Sequence, residues 1–206
     1  MSDLPTVNEM NDISPCDYAD ALPRSQFMHY SIRPLHQNMG RISGPAFTVK
    51  CEAGDHLMLH AAIYAAKPGD IIVAQADDGF ALAGGNVCAI AQNRGIAGFV
   101  IDGVIRDLAE VRELGFPVFA KGVMPKPGKK ESVESMQVNI HCGGVSIQPG
   151  DIIVADEEGT AVIPQKDIAQ VYAVAKKRAD TDANMTLQQW QDKHYALIQK
   201  KLGDLK

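Results

Sequence analysis

The chain is 206 residues long, 46% of them hydrophobic, with a formal charge of −5, enough for one sizeable core and consistent with one domain over residues 1–206. The acidic balance, with a longest basic cluster of only Lys126-Pro-Gly-Lys-Lys130 that reads as a solvated loop, argues against a nucleic-acid partner. No apolar run approaches the roughly 20 residues that span a bilayer, the polar, acidic N-terminal stretch lacks the form of a signal or transit peptide, and four separated cysteines (Cys16, Cys51, Cys88, Cys142) without a CxxC pair suit reduced thiols in a cytoplasm.

Strand-like and helix-like stretches alternate, which reads as α/β architecture. A short helix is expected after Ile13-Ser14-Pro15, running through Tyr18 to Leu22. Gly44-Pro45 opens a strand over 46–51. Asp55 is placed to cap a helix over 56–66. Pro68-Gly69-Asp70 turns the chain into a buried strand over 71–76. Gly84-Gly85-Asn86 interrupts the pattern, and a helix over 87–95 stops at Gly95. A strand over 97–102, a helix from Asp107 through Leu114 and a strand over 117–122 follow. The second half holds short strands at 138–140, 145–147, 151–156 and 160–164. A helix from about Asp167 to Ala179 and another over 187–202 form a helical tail from about 167 to 206. Trp190, Leu197 and Ile198 give the last helix an apolar side, expected to pack on the body or on a neighbouring subunit. The run Pro68-Gly-Asp-Ile-Ile-Val-Ala74 returns at Pro149 to Ala155. Because the flanking segments differ, the echo reads as one good turn into a buried strand, used twice.

The stretch that carries chemistry is GGNVCAIAQNRGIAGFVIDGVIRDLAE, Gly84 to Glu110. Glycines between a strand and a helix let backbone N–H groups approach a ligand closely, and a helix N-terminus favours an anion such as a carboxylate. GxGxxG and the Walker A lysine are both absent, so this is no nucleotide loop. The strand ending at Val104-Ile105 delivers Arg106 and Asp107 to the sheet end where sites form. Arg106 offers a planar fork of donors suited to a carboxylate or a 2-oxo acid. Asp107 is a hard oxygen ligand for Mg²⁺ or Mn²⁺. Glu110, three residues on, shares a helix face with Asp107.

Other groups read as structural. His56 and His60 stand at i, i+4 but lack a zincin's glutamate and third ligand, and are expected to be ordinary helix residues. Cys142 beside His141 reads as a core thiol, Asp156-Glu157-Glu158 as a solvated acidic turn, and Lys50 and Lys121 as surface residues rather than Schiff-base lysines.

Gly85, twenty residues, Arg106-Asp107, two residues and Glu110 fit a G-x20-R-D-x2-E/D pattern. With YADAL near the start, GPAFTV, GDHLMLHAAIYAAKPGDIIV and CGGVSIQPGDIIVADEEGTAVIP, the chain resembles the class II 4-hydroxy-4-methyl-2-oxoglutarate/4-carboxy-4-hydroxy-2-oxoadipate aldolases. Their superfamily, here called RraA-like, includes the regulator of ribonuclease activity A. The resemblance implies an α/β/α sandwich of the swivelling β/α type, assembled as homotrimers or homohexamers with sites at subunit interfaces. It implies that Asp107 holds the divalent ion, that Arg106 contacts the substrate's 2-oxo acid end, and that backbone N–H groups of Gly85, Asn86, Val87 and Cys88 hold its carboxylate. It also implies an acidic side chain from a neighbouring subunit's C-terminal helical region, by spacing Asp182 and next Asp180, that reaches the metal's waters. The activity implied is retro-aldol release of pyruvate, with oxaloacetate decarboxylation beside it. The alternative is a non-catalytic regulator that binds and inhibits ribonuclease E.

Overall fold

The computed structural model describes residues 4–37 and 39–204. In chain order it contains helices α1 (Val7–Asn11) and α2 (Pro15–Tyr18), strands β1 (Arg33–Pro34) and β2 (Ile42–Lys50), α3 (Leu57–Ala65), β3 (Ile71–Gln75), α4 (Gly85–Asn93), β4 (Gly98–Ile105), α5 (Leu108–Leu114) and β5 (Val118–Val123). The hairpin β6 (Ile140–Cys142) and β7 (Val145–Ile147), then β8 (Ile152–Asp156), β9 (Gly159–Ile163), α6 (Ile168–Ala183) and α7 (Leu187–Gly203) complete it. Seven strands form one sheet in the order β1-β5-β4-β3-β2-β8-β9. The central strands β2 to β5 run parallel, and β1, β8 and β9 pair antiparallel. The expected α/β class is the one observed.

Near-continuous apolar strands have two faces to cover. Phe47, Val49, Ile72, Phe99 and Ile101 pack under α3, α4 and α5 with Leu59, Ile63, Cys88 and Val111. Ala46, Ile71, Val73, Val100 and Phe119 point the other way, against the β6–β7 hairpin and against Met28 and Ile32. Helices α2 and α6 cover β8 and β9 through Tyr18, Val171 and Ala175. Tyr18 is fully buried, and its hydroxyl donates to the Met10 carbonyl at 3.1 Å. Tyr18→Phe keeps the ring and removes one buried hydrogen bond, so stability should fall by about 1 kcal/mol. A lower urea midpoint at constant m-value would show it.

Several element ends differ from the sequence reading for local reasons. The strand expected at 46–51 begins at Ile42, because it changes partner midway. Residues Ile42 to Pro45 pair with β8, and Ala46 to Lys50 pair with β3. The Gly44-Pro45 pair thus sits at a crossover inside the strand and not before it. Helix α2, capped by the Ser14 hydroxyl, stops at Tyr18, short of Leu22. Helix α6 runs past Ala179 to Ala183, supported by i, i+4 pairs of Lys176 with Asp180 and Arg178 with Asp182.

The repeated Pro-Gly-Asp is one turn built twice. Gly69 and Gly150 take φ of 88° and 83°, and the Asp70 and Asp151 carboxylates each accept, at 2.8 Å, the backbone N–H three residues earlier. One copy leads into a parallel strand and the other into an antiparallel one, so the copies share a turn and not a surrounding unit. Helix α7 buries none of its residues, and Leu187, Trp190, Tyr195 and Leu197 are exposed. The expected packing of this helix onto the body therefore does not occur within one chain. Among the described residues no helix is long and apolar enough to cross a membrane.

Candidate active site

The end of β4 is built to present two residues. Its register shifts between Ile101 and Val104, a bulge that lets the strand run on to Ile105. Segment 81–83 lies along that extension: Leu82 N–H donates to Val104 O, and Arg106 N–H donates to Ala83 O, both at 2.9 Å. This pairing brings the following Gly84-Gly85 turn directly against Asp107. Asp107 takes φ 57° and ψ 40°, the left-handed region, and stands at the N-terminus of α5. Such a conformation in a non-glycine residue costs energy, and aspartate is one of the few types that adopt it.

The Asp107 carboxylate meets two donors through the same oxygen. Gly85 N–H donates to Oδ2 at 3.3 Å, and Arg106 Nε lies 3.4 Å from it. The Arg106 and Asp107 side chains are 44% and 36% exposed, so solvent screens the pair and it contributes little to stability. Its meaning is positional: guanidinium and carboxylate converge on one spot. The glycines are required by space. A Cβ on Gly84 would collide with Asp107 Oδ2 and lie 3.1 Å from Arg106 Cγ, and a Cβ on Gly85 would collide with the Glu110 carboxylate. Glu110 therefore packs directly over Gly85, beside Asp107.

The amide cradle is narrower than expected. Helix α4 starts at Gly85, two residues before Val87, so the Cys88 N–H is donated to Gly84 O at 3.0 Å and is not free for a ligand. The Gly85 N–H is engaged by Asp107. Asn86 and Val87 keep the first-turn amides that a helix cannot satisfy internally. The Cys88 side chain is fully buried, and burial pushes its thiol up to about 12, so it is an inert core group.

Arg106 and Asp107 line one pocket of about 80 Å³ with Gly84, Asn86 and Val87. Three further polar side chains share it: His56, His60 and Lys130. The two histidines, read from sequence as ordinary helix residues, stack with ring centroids 4.5 Å apart and planes 6° from parallel. His56 Nδ1 lies 3.3 Å from Ala81 O, and His60 Nε2 lies 3.3 Å from Leu82 O. A carbonyl only accepts, so each of these nitrogens carries the proton. Burial, and next His56 itself, pushes His60 down to about 4; burial likewise lowers His56. The stack is neutral at pH 7. Lys130, expected in a solvated loop, reaches the pocket because its loop is pinned. Asp55, foreseen only as a helix cap for α3, accepts from Leu57 N–H and also from the backbone of Glu131 and Ser132. The i, i+4 spacing was the visible signal for the histidines; nothing local pointed to Lys130.

The other acidic and basic candidates lie elsewhere. Asp182 pairs with Arg178 at 2.9 Å and Asp180 with Lys176 on α6, outside the pocket within one chain. Lys121 stands 2.7 Å from Asp102, whose hydrogen bond raises the amine's pKa, and it does not line the pocket. A protonated amine of this kind is no nucleophile.

A family model described as RraA-like, Aldolase/RraA, matches residues 15–162. A Halalkalibacterium halodurans protein provisionally named 4-hydroxy-4-methyl-2-oxoglutarate aldolase is 40% identical over 185 residues, 88% of each chain. An uncharacterised Pseudomonas syringae protein of known structure superposes with a TM-score of 0.79 at 27% identity, over 91% of this chain and 92% of that one. A Streptomyces coelicolor structure, described as an unusual member of the RNase ES inhibitor RraA family, gives 0.74 at 27% identity over 89% and 98%.

Proposed function

The chain belongs to the RraA-like aldolase family, and from that membership we propose that it is a divalent-metal-dependent lyase that cleaves hydroxylated 2-oxo acids to release pyruvate. The observation that carries this reading is the convergence of Arg106, Asp107 and the Gly84-Gly85 turn on one pocket.

The residues present fit a hard cation. Among the described residues Asp107 engages its neighbours through Oδ2 alone, leaving Oδ1 available, and the Glu110 carboxylate lies beside it over the same turn. Among the described residues no three His, Cys, Asp or Glu side chains cluster as a metal cage. Mg²⁺ and Mn²⁺, held by one or two carboxylates and otherwise by water, suit such a site better than Zn²⁺. Asp107 would hold the ion, with Glu110 orienting its waters. When bound, it supplies Lewis-acid polarisation of the substrate's 2-oxo group. Arg106 grips the 2-oxo acid end and stabilises the enolate charge that follows C–C cleavage. The Asn86 and Val87 amides, at the positive end of α4, hold the carboxylate. A homotrimer or homohexamer would place Asp182 or Asp180 of a neighbouring subunit at the open side of this pocket, and the uncovered apolar residues of α7 support such an assembly.

Oxaloacetate decarboxylation passes through the same enolate and belongs to the proposal. The test is pyruvate release from 4-hydroxy-4-methyl-2-oxoglutarate and from oxaloacetate, read by coupling to lactate dehydrogenase. EDTA should abolish turnover, and Mg²⁺ or Mn²⁺ should restore it. Absence of pyruvate from both substrates at saturating metal rejects the reading. The likeness to the Streptomyces RNase ES inhibitor relative supports a second reading, a regulator that binds a ribonuclease. Capture of ribonuclease E together with no lyase activity would favour it.

A further inference from the structure

The pocket contains one polar atom that neither the fold nor the proposed ion accounts for. His56 is 7% exposed, and its Nε2 is buried without a hydrogen-bond partner among the described residues. Its Nδ1 proton is committed to Ala81 O, so Nε2 presents a lone pair, an acceptor in need of a donor. His60 covers a face of the ring, and Ala81 and Gly128 border the Nδ1 edge. His56 lines the pocket together with Arg106 and Asp107. Carboxylate and ketone oxygens offer no proton. A ligand hydroxyl offers the donor that this nitrogen lacks.

We propose that His56 Nε2 receives the hydroxyl proton of a hydroxylated 2-oxo acid as its carbon–carbon bond breaks, which makes His56 the base of the retro-aldol step. This rests on the lyase reading above and deepens it, since it assigns the site to hydroxylated substrates first and to oxaloacetate second. The O–H bond breaks and its proton passes to Nε2. The oxygen's electron pair becomes the new C=O bond of the departing carbonyl product. The C3–C4 pair passes into the pyruvate enolate, where Arg106 stabilises the charge. Return of a proton to C3 from the imidazolium, directly or through water, restores neutral His56. No oxidant or other co-reactant enters the balance.

The surroundings suit the role. The main-chain carbonyl at Nδ1 fixes the tautomer, as a general base requires. Asp55 and Lys130 lie near from the α3 and loop sides, Arg106 from the end of β4, and His60 across the stack. Burial is the largest of the influences on His56 and favours its neutral form.

Decarboxylation of oxaloacetate reaches the same enolate without losing a hydroxyl proton, and this separates a base from a structural residue. His56→Asn keeps an N–H for Ala81 O and replaces the basic ring nitrogen by a non-basic amide oxygen. It should lower kcat for 4-hydroxy-4-methyl-2-oxoglutarate by about 100-fold, while oxaloacetate decarboxylation stays within about threefold. The acid limb of the wild-type cleavage profile, where His56 becomes charged, should disappear in the variant. If His56→Asn unfolds on thermal melting, His56→Gln serves instead, since its amide also lacks a basic lone pair, and the same split is expected. Equal loss on both substrates, or unchanged cleavage with the acid limb intact, overturns the assignment to His56. A wild-type protein inactive on both substrates overturns instead the lyase reading beneath it.

Discussion

Asp107→Asn is expected to lower metal-dependent pyruvate release by about 10²–10³-fold with little change in stability. Asparagine is the informative replacement because Asp107 sits at φ 57° and ψ 40°. Alanine there would add a left-handed penalty of about 1–2 kcal/mol, whereas asparagine tolerates the conformation. The amide oxygen can still accept from Gly85 N–H, now 3.3 Å from the carboxylate. The lost attraction to Arg106 joins two half-exposed groups and is worth at most about 1 kcal/mol. What the substitution removes is the negative charge that would hold the ion. Lewis-acid stabilisation of several kcal/mol, at about 1.36 kcal/mol per tenfold in rate, gives the expected range. Titration calorimetry with Mn²⁺ should show weakened binding beside the kinetic loss. Full turnover by Asp107→Asn, or lost turnover with unchanged Mn²⁺ affinity, would remove Asp107 from the ion site.

The parts of this molecule legible in the sequence are those whose cause is local. Pro68-Gly69-Asp70 and Pro149-Gly150-Asp151 dictate their turns with their own φ values and side-chain bonds, so both following strands are expected where they occur. Gly85, Arg106, Asp107 and Glu110 can be grouped from the sequence because one strand, one turn and one helix carry them. The pocket's other wall is hidden there because distant segments build it. His56 N–H donates to Lys129 O at 2.9 Å, and Asp55 reaches Glu131 across 76 residues. An i, i+4 histidine pair on a largely apolar helix fits a packed face as well as a pocket wall; only the docking of residues 126–132 separates the two. Likewise β1, two residues ending in proline, carries no periodic signal, and the start of α4 at Gly85 depends on Asp107 accepting that residue's N–H. The roles expected of Asp107 and Arg106 come from their residue types and from the family resemblance. The histidine stack comes from the folded arrangement alone.

Gly85→Ala should reduce turnover on the order of 100-fold and lower stability by about 1–3 kcal/mol, against the ordinary preference of helices for alanine. Gly85 is the first residue of α4 and its φ is not left-handed, so backbone freedom does not explain it. On propensity alone alanine would be neutral or stabilising, by up to about 1 kcal/mol in a helix interior. Space reverses the sign. The added methyl would overlap the Glu110 carboxylate and lie 2.9 Å from Glu110 Cβ. The carboxylate end can swing aside, but Cβ is fixed to the α5 backbone, so α4 and α5 must separate by some tenths of an ångström. Asp107 stands at the N-terminus of α5 and moves with it, away from the Gly85 amide and from Arg106. Overpacking of this kind costs about 1–3 kcal/mol, and a displacement approaching 1 Å in a reacting constellation costs about 10²-fold in rate. The companion variant Glu110→Gly removes the opposing Cβ. Combined with Gly85→Ala it should regain part of the stability lost by Gly85→Ala alone, a coupling that a double-mutant cycle in urea measures. Strictly additive losses, or a Gly85→Ala protein more stable than the parent and fully active, would mean that α5 does not clamp the glycine turn and that the close packing is not what positions Asp107.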